Sequence, residues 1–306
     1  MAELITSGQN PKIKDLLALQ EKSRLRREKG LFVVEGRREL EHCLEAGYQI
    51  NTLFVCPEIL ALTDETPLLR SLLDSGSQPA TGCHARPDRA SDIFEVSPAV
   101  YAKIAYREGT EGIVAEVVTP EHSLEGLTLP ENPLVMVLEA VEKPGNLGAV
   151  LRSADAAGAD AVIICDPLTD LFNPNLIRAS IGAVFTVPVV TATSEEAIKY
   201  LKNKGIRILT AQLQDSVLYY DSDMCHGVAL VMGTEATGLS QAWREAADAH
   251  IRIPMLGRLD SLNVSVSAAI LLFEAVRQRR FLHSLRSVEM TGIEDGRNDK
   301  GRGRSK

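Results

Sequence analysis

Ile253-Pro-Met-Leu-Gly-Arg-Leu-Asp-Ser-Leu-Asn-Val-Ser-Val-Ser-Ala-Ala-Ile-Leu-Leu-Phe273 is the stretch on which the reading of this chain turns. It joins a strand end, a polar loop and a helix entered at Asn263. Gly257, lacking a Cβ, lets a ligand come close to the loop backbone. Beyond Asn263 the helix is apolar almost all round, which predicts burial of most of its surface. A buried helix fronted by a Ser-Leu-Asn corner suits a ligand site, and it equally suits a core helix with an asparagine cap. Two earlier stretches decide between them.

Working back from there, short apolar runs at 134–141, 161–165, 184–190, 206–209, 228–232 and 250–253 read as strands. The helices between them begin at plausible caps: Asn146, Asn173 before Pro174, Thr193 with Glu196 as a capping box, and Ser240. Alternating strands and helices imply a mainly parallel sheet covered on both faces. Ligands in such sheets bind beyond the C-terminal strand ends. The first part of the chain reads as a smaller α/β unit. It has a helix starting at Asn10-Pro11, strands at 31–34, 53–56, 93–96 and 112–118, and helices at 37–46, over 57–73 and after Ser97-Pro98. The domains expected are therefore 1–118, a proline-bearing linker at 119–133, and 134–287. A basic tail at 288–306 has too little apolar content to order itself.

The 306 residues are enough for about two cores. With 45% hydrophobic and 24% charged residues the composition is that of a soluble globular protein. Five cysteines, Cys43, Cys56, Cys83, Cys165 and Cys225, are odd in number and form no Cys-x-x-Cys pair. That argues against a disulfide framework or a zinc site and fits a reducing cytoplasm better. The N-terminus shows no signal-peptide pattern, and the most apolar run is shorter than the ~20 residues a bilayer needs. A net charge of −8 argues mildly against nucleic acid. However, phosphate feels the local field, and basic residues crowd 22–38, 277–286 and 297–306.

Three loops at strand ends carry the chemistry. After the first strand come Pro144-Gly145, a turn, then Asn146-x-Gly148-x-x-x-Arg152. Arg152 is either a solvated helix residue or a fixed cation for an anionic substrate. After 228–232 comes Gly233-x-Glu235-x-x-Gly238. The Lys-Ser/Thr pair of a phosphate-binding loop is missing there, and no strand is followed by G-x-G-x-x-G, so nucleotide hydrolysis and dinucleotide binding are disfavoured. The third loop is the Ile253–Phe273 stretch, with Ile253-Pro-Met-x-Gly257 and Ser261-Leu262-Asn263.

Together and in this order, the three resemble the motifs of the SpoU, or TrmH-like, RNA ribose methyltransferases of the SPOUT class, over about half the chain. Ser267 departs from the alanine usual there. The first domain is similar to that family's L30e-like substrate-binding domain. The resemblance implies an N-terminal L30e-like α/β domain and a C-terminal SPOUT α/β domain with a deep trefoil knot, a homodimer, and S-adenosylmethionine as methyl donor. It implies that Gly233, Ile253 and Leu262 contact the cofactor. It also implies that Asn146, Arg152, Glu235, Ser261 and Asn263 serve catalysis. Ribosomal RNA is the expected substrate ahead of transfer RNA. Arg152 is the family's proposed general base, yet a guanidinium is not ordinarily deprotonated in proteins. A clamp on phosphate or alkoxide charge needs no such step. Two rivals stay open: a non-catalytic RNA-binding protein with a degenerate second domain, and a SPOUT enzyme acting on a base.

Overall fold

The computed structural model describes residues 3–60, 92–106, 111–234, 237–258 and 261–295, with side chains as far as residue 280. The first domain runs β1 (Glu3–Ile5), α1 (Pro11–Glu21), α2 (Ser23–Lys29), β2 (Leu31–Glu35), α3 (Arg37–Glu45), β3 (Ile50–Val55), α4 (Pro57–Leu60), β4 (Asp92–Val96), α5 (Pro98–Ile104) and β5 (Ile113–Val118). Asn10 caps α1 by accepting from the Lys12 N–H at 2.9 Å, and Ile13, Leu16 and Leu19 carry the buried face. The strands form a mixed sheet in the order β1-β4-β3-β5-β2. Of the helix expected over 57–73 only α4 is described; the rest lies outside the described residues.

The second domain runs β6 (Leu134–Glu139), α6 (Pro144–Ala157), β7 (Ala161–Cys165), α7 (Pro174–Ser180), α8 (Ala183–Thr186), β8 (Val189–Ala192), α9 (Ser194–Asn203), β9 (Arg207–Ala211), β10 (Val217–Leu218), β11 (Val228–Met232), α10 (Gln241–Ala246), β12 (Ala249–Arg252) and α11 (Val264–Asp295). Its seven strands are parallel in the order β10-β12-β9-β11-β6-β7-β8. Every residue of β6, β7 and β11 is buried, as a sheet covered on both faces requires. β11 is inserted between β9 and β6, so the loops leaving β6, β9, β11 and β12 gather at one end.

Three expectations need correction. The run 184–190 is not one strand: Ala183–Thr186 is a helical turn, and the strand starts at Val189, after Pro188. Asn146 does not cap α6. The helix begins two residues earlier with Pro144 at its first position, where a missing N–H costs nothing, and Lys143 precedes it. α11 extends to Asp295, past the expected start of the tail at 288. Val288, Glu289, Met290 and Ile293 are helix-compatible, and extending an existing helix is cheap compared with starting one. Residues 296–306 lie outside the described residues.

The two sheets are joined by a tight seam. Phe32 of β2 stacks on Phe172 ahead of α7, with ring centroids 4.2 Å apart. Arg26, only 4% exposed, donates from Nε to Asp170 at 2.6 Å and from Nη1 to the Leu19 and Gln20 carbonyls. Arg24 and Lys29 pair with Glu28 and Asp15. Part of the basic 22–38 run is therefore engaged in holding the chain together. Residues 119–133 lie on the second domain: His122 Nδ1 sits 2.8 Å from the Val189 carbonyl, and the Tyr200 hydroxyl donates to the Leu127 carbonyl at 3.1 Å.

Candidate active site

The cavity lies at the C-terminal strand ends, where a doubly covered parallel sheet places its ligands. It encloses about 400 Å³ between the segments after β9 (Gln212–Gln214), after β11 (Gly233–Leu239) and after β12 (Ile253–Leu262). That size lies within the range of small-molecule sites. Met232, Leu239, Ile251, Ile253, Leu262 and Val264 give it an apolar wall. Gly233 and Gly238 present backbone there, and Gln212, Thr234, Arg244, Arg252 and Ser261 are polar residues of the lining.

Local sequence dictates this shape. The loop after β11 doubles back on itself: the Gly238 N–H donates to the Thr234 carbonyl at 3.0 Å, and Gly238 sits at φ 66°. The turn brings Gly238 over Gly233 so closely that a Cβ on Gly233 would stand 2.3 Å from the Gly238 carbonyl oxygen. Only glycine fits there. From the other end, the Ser240 N–H donates to the buried Glu139 carboxylate at 2.8 Å, which ties the loop to the end of β6. The buried Trp243 of α10 reinforces this tie by donating to Ser194 Oγ at 2.9 Å.

The first and third loops meet through two asparagines. Asn263 Nδ2 donates to Asn146 Oδ1 at 3.1 Å across 117 residues of chain. The same Asn263 holds the start of α11, its Oδ1 accepting from the Ser265 N–H at 2.9 Å. Behind the pair, Leu147, Val150 and Leu151 of α6 share one core with Val264, Ala268 and Leu271 of α11. On the far side of α6, Gly148 permits contact with α7, since a Cβ there would meet that of Ala179 at 2.6 Å.

The expected site residues therefore fall into groups. Gly233, Ile253, Leu262 and Ser261 line the cavity. Asn146 and Asn263 face each other outside the lining, Asn263 standing between the lining residues Leu262 and Val264. Arg152 is exposed on α6 and is not among the lining residues. Glu235 lies outside the described residues. The resemblance also puts the end of strand 206–209, near Thr210-Ala211, alongside the cofactor, and Ala211 does line the cavity. Sequence reasoning missed Glu139 and the residues just beyond, Gln212–Gln214. A carboxylate ending an otherwise apolar strand was the available signal for the first; Gln212–Gln214 offered none. Cys165, at the end of β7, is held as a thiol by burial and by the nearby Asp166 and Glu139 charges, so it is not poised as a nucleophile. Among the described residues no cluster of His, Cys, Asp or Glu could hold a metal, and no helix is long and apolar enough to cross a membrane.

Residues 133–273 match the SpoU rRNA Methylase family, and residues 10–115 match the MRM3-like substrate binding domain. The 23S rRNA (guanosine(2553)-2'-O)-methyltransferase RlmP of Bacillus subtilis (strain 168) is 30% identical over 269 residues, 88% of this chain and 97% of its own. The chain belongs to the SpoU rRNA methylase family. A SpoU relative from Burkholderia sp, a 23S rRNA (guanosine-2'-O-)-methyltransferase RlmB, is 42% identical over 55% of this chain and 70% of its own. Among solved structures, the AdoMet-bound rRNA methyltransferase of Sinorhizobium meliloti superposes with a TM-score of 0.77 at 30% identity. That match covers 90% of this chain and 98% of the other. The SpoU assignment gives the cavity a context: the two motif loops that line it, and the first motif tied to them through Asn146 and Asn263, all lie inside the matched 133–273 region.

Proposed function

We propose that this chain transfers a methyl group from S-adenosylmethionine to a ribose 2′-hydroxyl of ribosomal RNA. The observation that carries the reading is the cavity itself. Loops 233–239 and 253–262 enclose it, and the second of these is pinned to the first motif by the Asn146–Asn263 contact. An apolar wall of Ile253, Leu262 and Leu239 suits an adenine, and backbone groups around Gly233 suit its polar edge. S-adenosylmethionine, when bound, supplies an electrophilic methyl on a sulfonium. The chain must hold a ribose oxygen in line with that methyl and manage the hydroxyl proton. Positioning of this kind supplies ~7–11 kcal/mol in favourable cases.

Within this reading Ser261 contacts the substrate or its neighbouring loop, and Glu235 holds the loops in register. Asn146 and Asn263 orient the ribose, and Arg152 clamps phosphate and steadies developing alkoxide charge. Arg152 stands outside the cavity lining of its own chain, which favours a homodimer in which each arginine serves the facing site. A dimer is also favoured by α11, which leaves Val266 and Phe273 about half exposed on one side, with Ile270 between them. A trefoil knot is part of the same proposal, supported by the residues after β11 and after β12 lining one cavity and by the core that α11 shares with α6. The L30e-like character of the first domain is proposed on the match of residues 10–115 to a substrate-binding domain.

Calorimetric titration with S-adenosylmethionine tests the reading. Saturable one-to-one binding is expected, and a chain that takes up none is instead a bare RNA binder.

A further inference from the structure

Tyr106, two residues beyond the end of α5, reaches across the domain seam. Its hydroxyl donates to Asn175 Oδ1 of α7 at 2.9 Å, and its N–H donates to Glu35 at 2.8 Å. Held at both ends, the ring is still 45% exposed. The Arg178 guanidinium, also exposed, lies 5.5 Å from the ring centroid. Other exposed aromatic rings among the described residues are placed differently. Phe273 belongs to the α11 face assigned above to a second copy, and Tyr220 packs edge-on against Tyr219.

An anchored, half-exposed ring carrying a guanidinium is a platform for an unpaired nucleobase. Base–aromatic stacking tolerates any base, the cation adds attraction for the ring and for phosphate, and the ordering cost is already met. Its location matters as much as its chemistry. Asn175 and Arg178 sit on α7, whose Ala179 is packed against Gly148 of α6, the helix that bears Asn146 and Arg152. A base seated on Tyr106 is thus held at a fixed offset from the first motif.

We infer that Tyr106 and Arg178 form a stacking site for a single-stranded nucleotide of the RNA, on the seam between the two domains. The inference rests on the RNA reading proposed above, and its test separates the two. A labelled, mixed-sequence single-stranded RNA dodecamer is titrated by fluorescence anisotropy, while melting temperature and S-adenosylmethionine affinity are followed in parallel. Tyr106→Ala is expected to weaken RNA binding about tenfold, a typical loss for one stacked base. Tyr106→Phe and Tyr106→Trp should stay within about twofold of wild type, because a ring suffices. Arg178→Ala should fall between. Cofactor affinity should not move in any of them, and melting temperature should fall by no more than the few degrees that loss of the Asn175 bond and of the half-buried ring accounts for. The same RNA carrying 5-iodouridine should crosslink to residue 106 on irradiation. Wild-type RNA affinity in Tyr106→Ala overturns the inference, and so does the absence of that crosslink. Equal losses in Tyr106→Ala and Tyr106→Phe overturn it too, since the hydroxyl tie to Asn175 would then be what matters. A chain that binds cofactor but no RNA overturns it and leaves the cavity assignment standing. RNA binding through Tyr106 without cofactor uptake sinks the methyl-transfer reading alone.

Discussion

Replacing Asn263 tests whether the first and third motif loops are joined as described. Its side chain does two things at once: Nδ2 bridges to Asn146 at 3.1 Å and Oδ1 caps α11 through the Ser265 N–H at 2.9 Å. Loss of an N-cap costs about 1 kcal/mol, and loss of a partly exposed neutral hydrogen bond about 0.5–1.5 kcal/mol. Asn263→Ala should therefore destabilise the chain by roughly 1.5–2.5 kcal/mol, or about 3–10 °C in melting temperature at ~2–4 °C per kcal/mol. Asn263→Ser keeps a good cap but is too short to reach Asn146, so it should cost only about 1 kcal/mol. Both asparagines make further contacts, which makes the coupling between them the diagnostic quantity rather than either single loss. Urea unfolding followed by the fluorescence of Trp243, the chain's one tryptophan and fully buried, reads all four corners of an Asn146/Asn263 alanine cycle. A coupling of roughly 0.5–1.5 kcal/mol is expected. Strict additivity would refute the bridge, and with it the claim that the two loops meet.

The remaining predictions probe the cavity, the exposed arginine and the linker. Gly233→Ala drives a methyl to within 2.3 Å of the Gly238 carbonyl, so the loop must open. Cofactor affinity by calorimetry should fall at least ~100-fold, and near-normal affinity would show that the doubled-back loop is not the wall of the site. Arg152→Ala should lower the turnover number by about 10²–10³ with cofactor affinity unchanged, as expected of a group that stabilises charge in the transition state. Arg152→Lys recovering substantial activity supports the clamp role, whereas inactivity with RNA affinity intact requires the base role or bidentate geometry. His122 is held below its ordinary pKa of 6.5 mainly by burial, against the pull of the Val189 carbonyl, and its Nε2 is buried with no partner among the described residues. As pH falls through about 6.5 the unfolded chain gains a proton that the native state resists, so stability present at neutral pH is lost on acidification. In urea titrations His122→Gln should flatten the decline between about pH 7 and 5.5, and a slope equal to wild type would rule His122 out as its source.

Strand and helix alternation was visible in the apolar runs because buried parallel strands read as continuous hydrophobic segments, and 161–165 and 228–232 coincide with β7 and β11. The run 184–190 misled for the same reason. An apolar stretch carries no period that separates helix from strand, and Pro188 marked the break. β1 and β10 are too short, at three and two residues, to display alternation. Caps governed by local bonds, such as Asn10 and the Thr193–Glu196 box, could be read directly. Asn146 could not, because what fixes its side chain is a residue 117 positions away. Arg26 likewise sits in a run that reads as a basic patch, and its burial depends on Asp170, 144 residues on. The glycine pair at 233 and 238 stood out by spacing alone, but its purpose, one backbone crossing directly over the other, is a tertiary fact.

The most direct measurement follows the methyl group to its destination. Unmodified ribosomal RNA is incubated with the chain and S-adenosylmethionine labelled in the methyl group, then hydrolysed with alkali. A methylated 2′-oxygen cannot attack its own phosphate, so the label should appear in an alkali-resistant dinucleotide. Label confined to mononucleotides would place the methyl on a base, and RNA left unlabelled by a chain that binds the cofactor would contradict the assignment outright.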